Sequence, residues 1–184
     1  EIAKNLARIH EWHTFETTGF VRVADDEPGF TTTGHETWGA VVAALADHFV
    51  GLFADVHGDG KLADTVSSVV AAFDGIADTI VPPRQSVLLH RDCYLDNLLV
   101  VEDERDPLVR TVLDFADVLA GDFRVDVAFA EDAIINSEFG NSNRAATLRE
   151  HFRTTYAQQR GMNVDTIVDE RYQYYLLLQR CRWA

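Results

Sequence analysis

Asp92, Asn97 and Asp114 are the residues whose types and spacing fit chemistry. An apolar run, Val87 to Leu89, leads into His90-Arg91-Asp92, and Asn97 follows five residues after Asp92. A second apolar run, Leu98 to Val101, leaves that loop, and a third, Val109 to Leu113, ends at Asp114. Two acids and one amide therefore stand at the ends of three expected short strands, an arrangement suited to holding a divalent metal beside a general base. Mg²⁺ takes few ligands from protein, all oxygen, and fills its shell with phosphate and water. Asn97 and Asp114 supply such oxygens, and Asp92 is placed to accept the proton of an attacking hydroxyl. That chemistry is phosphoryl transfer, in which the protein mainly positions groups and offsets charge. Taken singly, each element has a plainer reading, since an Asp after a strand is ordinarily a turn residue or a helix cap. A His, an Asp, an Asn and a later Asp, in order and each beside an apolar run, are far more specific.

The Asp92 to Asn97 spacing equals that of the H-R-D-x-x-x-x-N loop of kinases, and Leu113-Asp114-Phe115 falls where their metal-binding Asp falls. A second signature follows as Gly121-Asp122-Phe123-Arg124-Val125-Asp126, a Gly-Asp-x-x-x-Asp segment expected to open a helix. On these residues the chain resembles the catalytic lobe of the aminoglycoside phosphotransferase and choline kinase group, relatives of the protein kinases. Leu6-Ala7-Arg8-Ile9-His10 is similar to the helix just after the hinge of that group. The resemblance implies Asp92 as base, Asn97 and Asp114 as Mg²⁺ ligands, and Leu99 as the apolar floor beneath the adenine of ATP. It implies that Asp126 braces the catalytic loop through its backbone, with His90 and Asp122 as further supports. Asp117 and Cys93 lie nearby without a role in the motif. Arg91 is a departure, because the group often has Gly there. Six residues separate Asp114 from Gly121, too few for a protein-kinase activation segment, so the implied acceptor is a hydroxyl of a small molecule.

The elements that would position these residues read mostly as helices. Ile2, Leu6, Ile9 and Trp12 recur at helical spacing over residues 1 to 13. His10 and His13 make a weak metal pair, since no third ligand is evident and a packed histidine is the commoner case. Residues 14 to 34 read as a polar connection with one short strand at Phe20 to Val23. Thr33 and Glu36 stand at capping-box spacing before a long stripe of Trp38, Val41, Val42, Leu45, Phe49, Leu52, Phe53 and Val56. Gly58-Asp59-Gly60 is expected to end it. A helix from about Leu62 to Ile80 stops at Pro82-Pro83. Glu102 to Pro107 reads as a solvated turn. Helices are expected over residues 127 to 136, 144 to 160 with Gly161 as terminator, and 165 to 183, with a loop from Glu138 to Asn143. The expected fold is α+β and mostly helical, a single C-terminal kinase-like lobe over residues 1 to 184 with a small β-hairpin carrying the catalytic and metal loops.

Composition narrows the classes further. With 184 residues and 47 % hydrophobic content the chain has the means for one real core. Its net charge of -14 argues against nucleic acid, which needs a basic footprint. No run approaches the roughly 20 apolar residues of a membrane span, and no secretory leader is evident, so no membrane partner and a cytoplasmic setting are expected. Lys4 and Lys61 are the only lysines; with abundant acids this resembles salt-adapted proteins, the alternative being an acidic pocket for a cationic substrate. Two cysteines, Cys93 and Cys181, make no framework. None of the eleven glycines forms G-x-G-x-x-G, and neither lysine sits mid-strand. The phosphate-clamping N-terminal lobe is therefore expected to lie outside these residues. A non-catalytic module built on a kinase-like lobe is the runner-up, and a protein Ser/Thr kinase is third.

Overall fold

The computed structural model describes residues 1–23, 29–33, 37–57, 63–77, 79–101, 108–140 and 142–183. It has seven helices, α1 (Ile2–Trp12), α2 (Trp38–His57), α3 (Ala63–Ala77), α4 (Arg124–Glu131), α5 (Ser137–Phe139), α6 (Asn143–Gln159) and α7 (Glu170–Trp183), among the described residues. The strands are β1 (Thr14–Phe15), β2 (Gly19–Val23), β3 (Phe30–Thr33), β4 (Ser86–Leu89), β5 (Leu98–Val101), β6 (Leu108–Val112) and β7 (Leu119–Gly121). The fold is α+β with helices dominant.

The three apolar runs do not share one sheet. β4 lies in a five-stranded antiparallel sheet of order β1-β4-β7-β2-β3, whereas β5 and β6 pair only with each other. The reason is visible in burial: every residue of β4 and β7 is buried, while β5 is mostly exposed. β7 was not foreseen, because Leu119-Ala120-Gly121 has little strand propensity. It is fixed by pairing with β4, Leu88 opposite Ala120. The expected single strand within residues 14 to 34 is joined by β1 and β3, with Phe20 opposite Thr33 in a β2–β3 pair.

α2 enters the core as its pattern requires. Trp38, Val41, Val42, Leu45 and Phe49 are buried, and α2 packs on α7. The stripe does not stay covered: Leu52 and Val56 are exposed. By length and composition alone this helix is apolar enough to cross a membrane, yet its first three turns are core. The cap is Thr37, whose Oγ1 accepts from Ala40 N–H; Thr33 is a strand residue, and Glu36 and Gly58 to Gly60 lie outside the described residues, as do 102 to 107.

Gly121 is required by packing. A Cβ there would stand 2.0 Å from Cζ3 of Trp38, whose ring is buried and donates Nε1–H to Tyr175 Oη at 2.8 Å. α4 begins at Arg124, within the Gly121 to Asp126 segment expected to open it, and continues through a π-helical turn, Asp132–Asn136, into α5. The expected loop over 138 to 143 is thus partly helix. α6 starts at Ser142, whose hydroxyl accepts from Ala145 N–H, and ends at Gly161 with φ of 60°. α7 starts at Glu170, after a short 3-10 turn at Val164–Thr166.

Candidate active site

The loop between β4 and β5 is held by one buried carboxylate. Asp126, in the first turn of α4, accepts His90 N–H at Oδ2 (2.6 Å) and Arg91 N–H at Oδ1 (2.7 Å). Its Oδ2 also lies 3.1 Å from His10 Nε2, and His10 Nδ1 lies 2.6 Å from Tyr156 Oη. All three side chains are buried. Burial alone would raise the Asp126 pKa, but the hydrogen bonds from His10, His90 and Arg91 outweigh it and hold the group below the usual carboxylate range. Burial pushes the His10 imidazole down against the pull of Asp126 and the Tyr156 phenol up. The consistent proton arrangement is a Tyr156 hydroxyl donating to a neutral His10, which donates from Nε2 to the Asp126 carboxylate.

A second histidine ties the loop to the far strand. His90 Nε2 donates to the Leu113 carbonyl at 2.8 Å, which leaves Nδ1 to accept Asp92 N–H at 3.2 Å. Phe115 meets the His90 ring edge-on at a centroid distance of 4.6 Å. The residue before Asp114 is thus bonded to the residue two before Asp92.

Asp92 and Asn97 are joined within the loop. Asn97 Nδ2 donates to the Asp92 backbone oxygen (2.9 Å) and to Asp92 Oδ2 (3.0 Å), across a 3-10 turn at Leu95–Asn97. The Asn97 carbonyl accepts Leu113 N–H at 2.8 Å, so Asp114 is the residue next to Asn97's ladder partner. Asp114 is exposed, takes the left-handed φ of 61°, and accepts Ala116 N–H at Oδ1. Among the described residues neither Asn97 Oδ1 nor Asp114 Oδ2 has a hydrogen bond, so each keeps an oxygen for a hard cation. That donor set, one amide and one carboxylate, suits Mg²⁺ bound mainly through phosphates and water. No group of three or more His, Cys, Asp or Glu side chains capable of holding a metal occurs among the described residues. Leu99, on β5 opposite Thr111, is 49 % exposed. Burial pushes the neighbouring Cys93 thiol up to about 12, which favours its protonated form.

Asp122 is a buried hub behind the site. Its Oδ1 accepts from Arg124 N–H and Nη1, and its Oδ2 lies 3.6 Å from Arg171 Nη1 and 3.5 Å from Tyr175 Oη. It joins the start of α4 to α7.

Sequence reasoning missed four participants. His10 meets Asp126 from 116 residues away and Tyr156 meets His10 from 146, and a polar residue on an apolar helix face was the only signal for either. Arg182, on α7, donates Nη2–H to Asp92 Oδ1 (2.7 Å) and Nη1–H to the Arg91 carbonyl (2.8 Å). No local pattern in α7 marks it. Arg91 was set aside as a departure from Gly. It holds a φ of 66°, a region that a Cβ disfavours, and its side chain is buried. Arg91 and Arg182 both line a cleft of about 450 Å³ between the loop and α2.

The loop of Asp92 and Asn97 thus lies between a buried sheet and a separate hairpin on a mostly helical body. The family model of the phosphotransferase enzyme family matches residues 1–162. The chain therefore belongs to that family, the aminoglycoside phosphotransferase and choline kinase-like group. The matched stretch includes Asp92, Asn97, Asp114, Asp122 and Asp126, and ends before α7. No curated protein matches the chain.

Proposed function

We propose that the chain is the catalytic lobe of an ATP-dependent phosphotransferase that acts on a hydroxyl of a small molecule. The observation that carries this reading is the Asp92–Asn97 bond, with the Leu113 N–H to Asn97 carbonyl bond that brings Asp114 beside it. Asp92 accepts the acceptor hydroxyl's proton and orients its oxygen. Asn97 Oδ1 and Asp114 hold Mg²⁺, which when bound neutralises phosphate oxygens. The Asn97 amide and Arg182 fix the Asp92 carboxylate from both sides, so it need not reorganise as the proton arrives. Asp126 and His90 keep the loop backbone in register, and Asp122 ties α4 to α7. Leu99 offers apolar surface to adenine. A phosphate-clamping loop and strand lysine come from outside these residues.

The test is Asp92→Asn and Asp114→Ala in the full natural protein, assayed for phosphotransfer from ATP across a panel of alcohols. Each substitution is expected to lower turnover by roughly 10²–10⁴-fold. Near-wild-type turnover in either variant overturns the assignment. A non-catalytic binding module is the competing reading. It has no use for two open oxygens beside a third fixed carboxylate.

A further inference from the structure

The cleft between α2 and the loop has an unusual lining. Val41, Leu45, Phe49 and Leu52 form an apolar wall, with Phe20 opposite, and two guanidinium groups, Arg91 and Arg182, stand at the Asp92 end. Arg182 is engaged with the Asp92 carboxylate and packs over the Phe49 ring at 5.7 Å. Arg91 is different. It is 7 % exposed, its Nη1 donates to the Asp117 carbonyl at 3.1 Å, and its Nε has no hydrogen-bond partner. No ion pair to Arg91 is formed among the described residues, although Asp117 shares the cleft lining. The carboxylates of Asp117, Asp126 and Asp92 favour its charge, but no carboxylate closes on the guanidinium, and a buried N–H without an acceptor is costly.

The backbone adds an independent observation. Arg91 sits in the left-handed region at φ of 66°, held there by the Asp126 clamp. A residue with a Cβ is disfavoured there, a cost that Gly would avoid. Strain of this kind persists where a side chain has a use.

Resting on the assignment of Asp92 as the reacting carboxylate, we infer that the acceptor is a hydroxy compound with an apolar body and an anionic group, and that Arg91 is the residue that binds the anion. The apolar wall takes the body, and the Arg91 guanidinium, whose Nη2 makes no hydrogen bond among the described residues, donates to a carboxylate or phosphate oxygen. A polycationic acceptor would meet two guanidinium groups in this lining, with Asp117 as its only carboxylate besides the reacting Asp92.

Three probes of one shape test the inference: 4-(hydroxymethyl)benzoate, the corresponding benzamide, and 4-(hydroxymethyl)benzylamine. Their binding to the full natural protein is measured by calorimetry at low salt. The benzoate is expected to bind at least about tenfold more tightly than the amide, as for one charge-assisted hydrogen bond, with the amine weakest. Arg91→Gly removes the donor and relieves the backbone together, so it folds with a melting point near that of the wild type and loses the benzoate preference. Equal or absent benzoate binding, amine preference, or a preference that survives Arg91→Gly would each overturn the inference. Running the series in Asp92→Asn separates the two assignments. Benzoate preference reports on Arg91, whereas loss of phosphotransfer reports on Asp92.

Discussion

Two sets of acids face the same loop from opposite sides, and they are built differently. Asp126 and Asp122 lie behind it, buried, with every carboxylate oxygen engaged by a donor or a cation. Asp92 and Asp114 lie in front, partly or largely exposed. Asp92 carries one bond to each oxygen, while Asp114 accepts a single backbone N–H and stands at φ of 61°. The back pair is what a low-dielectric interior demands of a charge. The front pair keeps lone pairs open, as groups that must bind and release partners do. The difference separates the acids that the fold engages from those it leaves at the surface, although all four are Asp in one short stretch.

The largest effect should come from breaking the back pair. Asp126→Ala would leave His90 N–H, Arg91 N–H and His10 without their acceptor, at a cost of about 3–5 kcal/mol in unfolding free energy. Asp114→Ala, by contrast, should cost less than about 1 kcal/mol in stability while removing phosphotransfer. Urea melts of the two variants side by side check the contrast; similar losses of stability would erase it. pH sharpens the same point. The folded Asp126 pKa is lowered, so its contribution is present above the unfolded carboxylate value of 3.8 and is lost as pH falls through the lower folded value. The folded His10 pKa is also lowered, and the unfolded chain takes up a proton that the buried imidazole does not. Stability is therefore expected to decline as pH drops below about 6.5, and His10→Gln should flatten that decline in melts taken between neutral and mildly acid pH.

A smaller effect is expected where the back of the site meets the core. Gly121→Ala would place a methyl group 2.0 Å from the Trp38 ring. That ring is fixed by Tyr175 and cannot swing away cheaply, so a loss of about 1–3 kcal/mol is expected. Tryptophan emission would shift with it. An unchanged melt would mean that β7 is softer than its full burial implies.

How much of this was legible follows from the same contrast. Where Asp92 and Asp114 fall in the fold was readable because each follows a short apolar run, and spacing along one loop is a local property. The main helices followed from a periodicity of 3.6, and the hairpin strands from their short apolar runs. The back of the site depends on contacts that join distant segments, Asp126 to His10 and Asp122 to Arg171, and periodicity does not specify them. β7 escaped because Ala and Gly carry no strand signal, and β1 and β3 because short Thr-rich segments read as connection. The capping residue of α2 was placed four positions early, since Thr33 and Thr37 both precede the apolar stripe. Arg182 reaches Asp92 across 90 residues from a helix whose pattern shows only packing.

The smallest predicted effect is the most discriminating. Arg91 joins the two sides: its N–H belongs to the Asp126 clamp and its guanidinium faces the front cleft. If it served the fold, replacing it would cost as much as any buried hydrogen-bonded residue. If its side chain serves a ligand, the ledger is nearly even. Arg91→Gly relieves roughly 1–2 kcal/mol of left-handed strain and the burial of an unpaired Nε. It gives up the bond to the Asp117 carbonyl, the packing of the buried Arg91 stem, and about 0.5–1 kcal/mol to the greater freedom of Gly when unfolded. The expected change in unfolding free energy is within about 1 kcal/mol of zero, because these opposing contributions are of similar size. The backbone clamp survives, since the N–H to Asp126 remains. A loss near that of Asp126→Ala would move Arg91 to the back of the site and make its guanidinium a structural group. A neutral melt, with the cleft's anion preference gone, keeps it at the front.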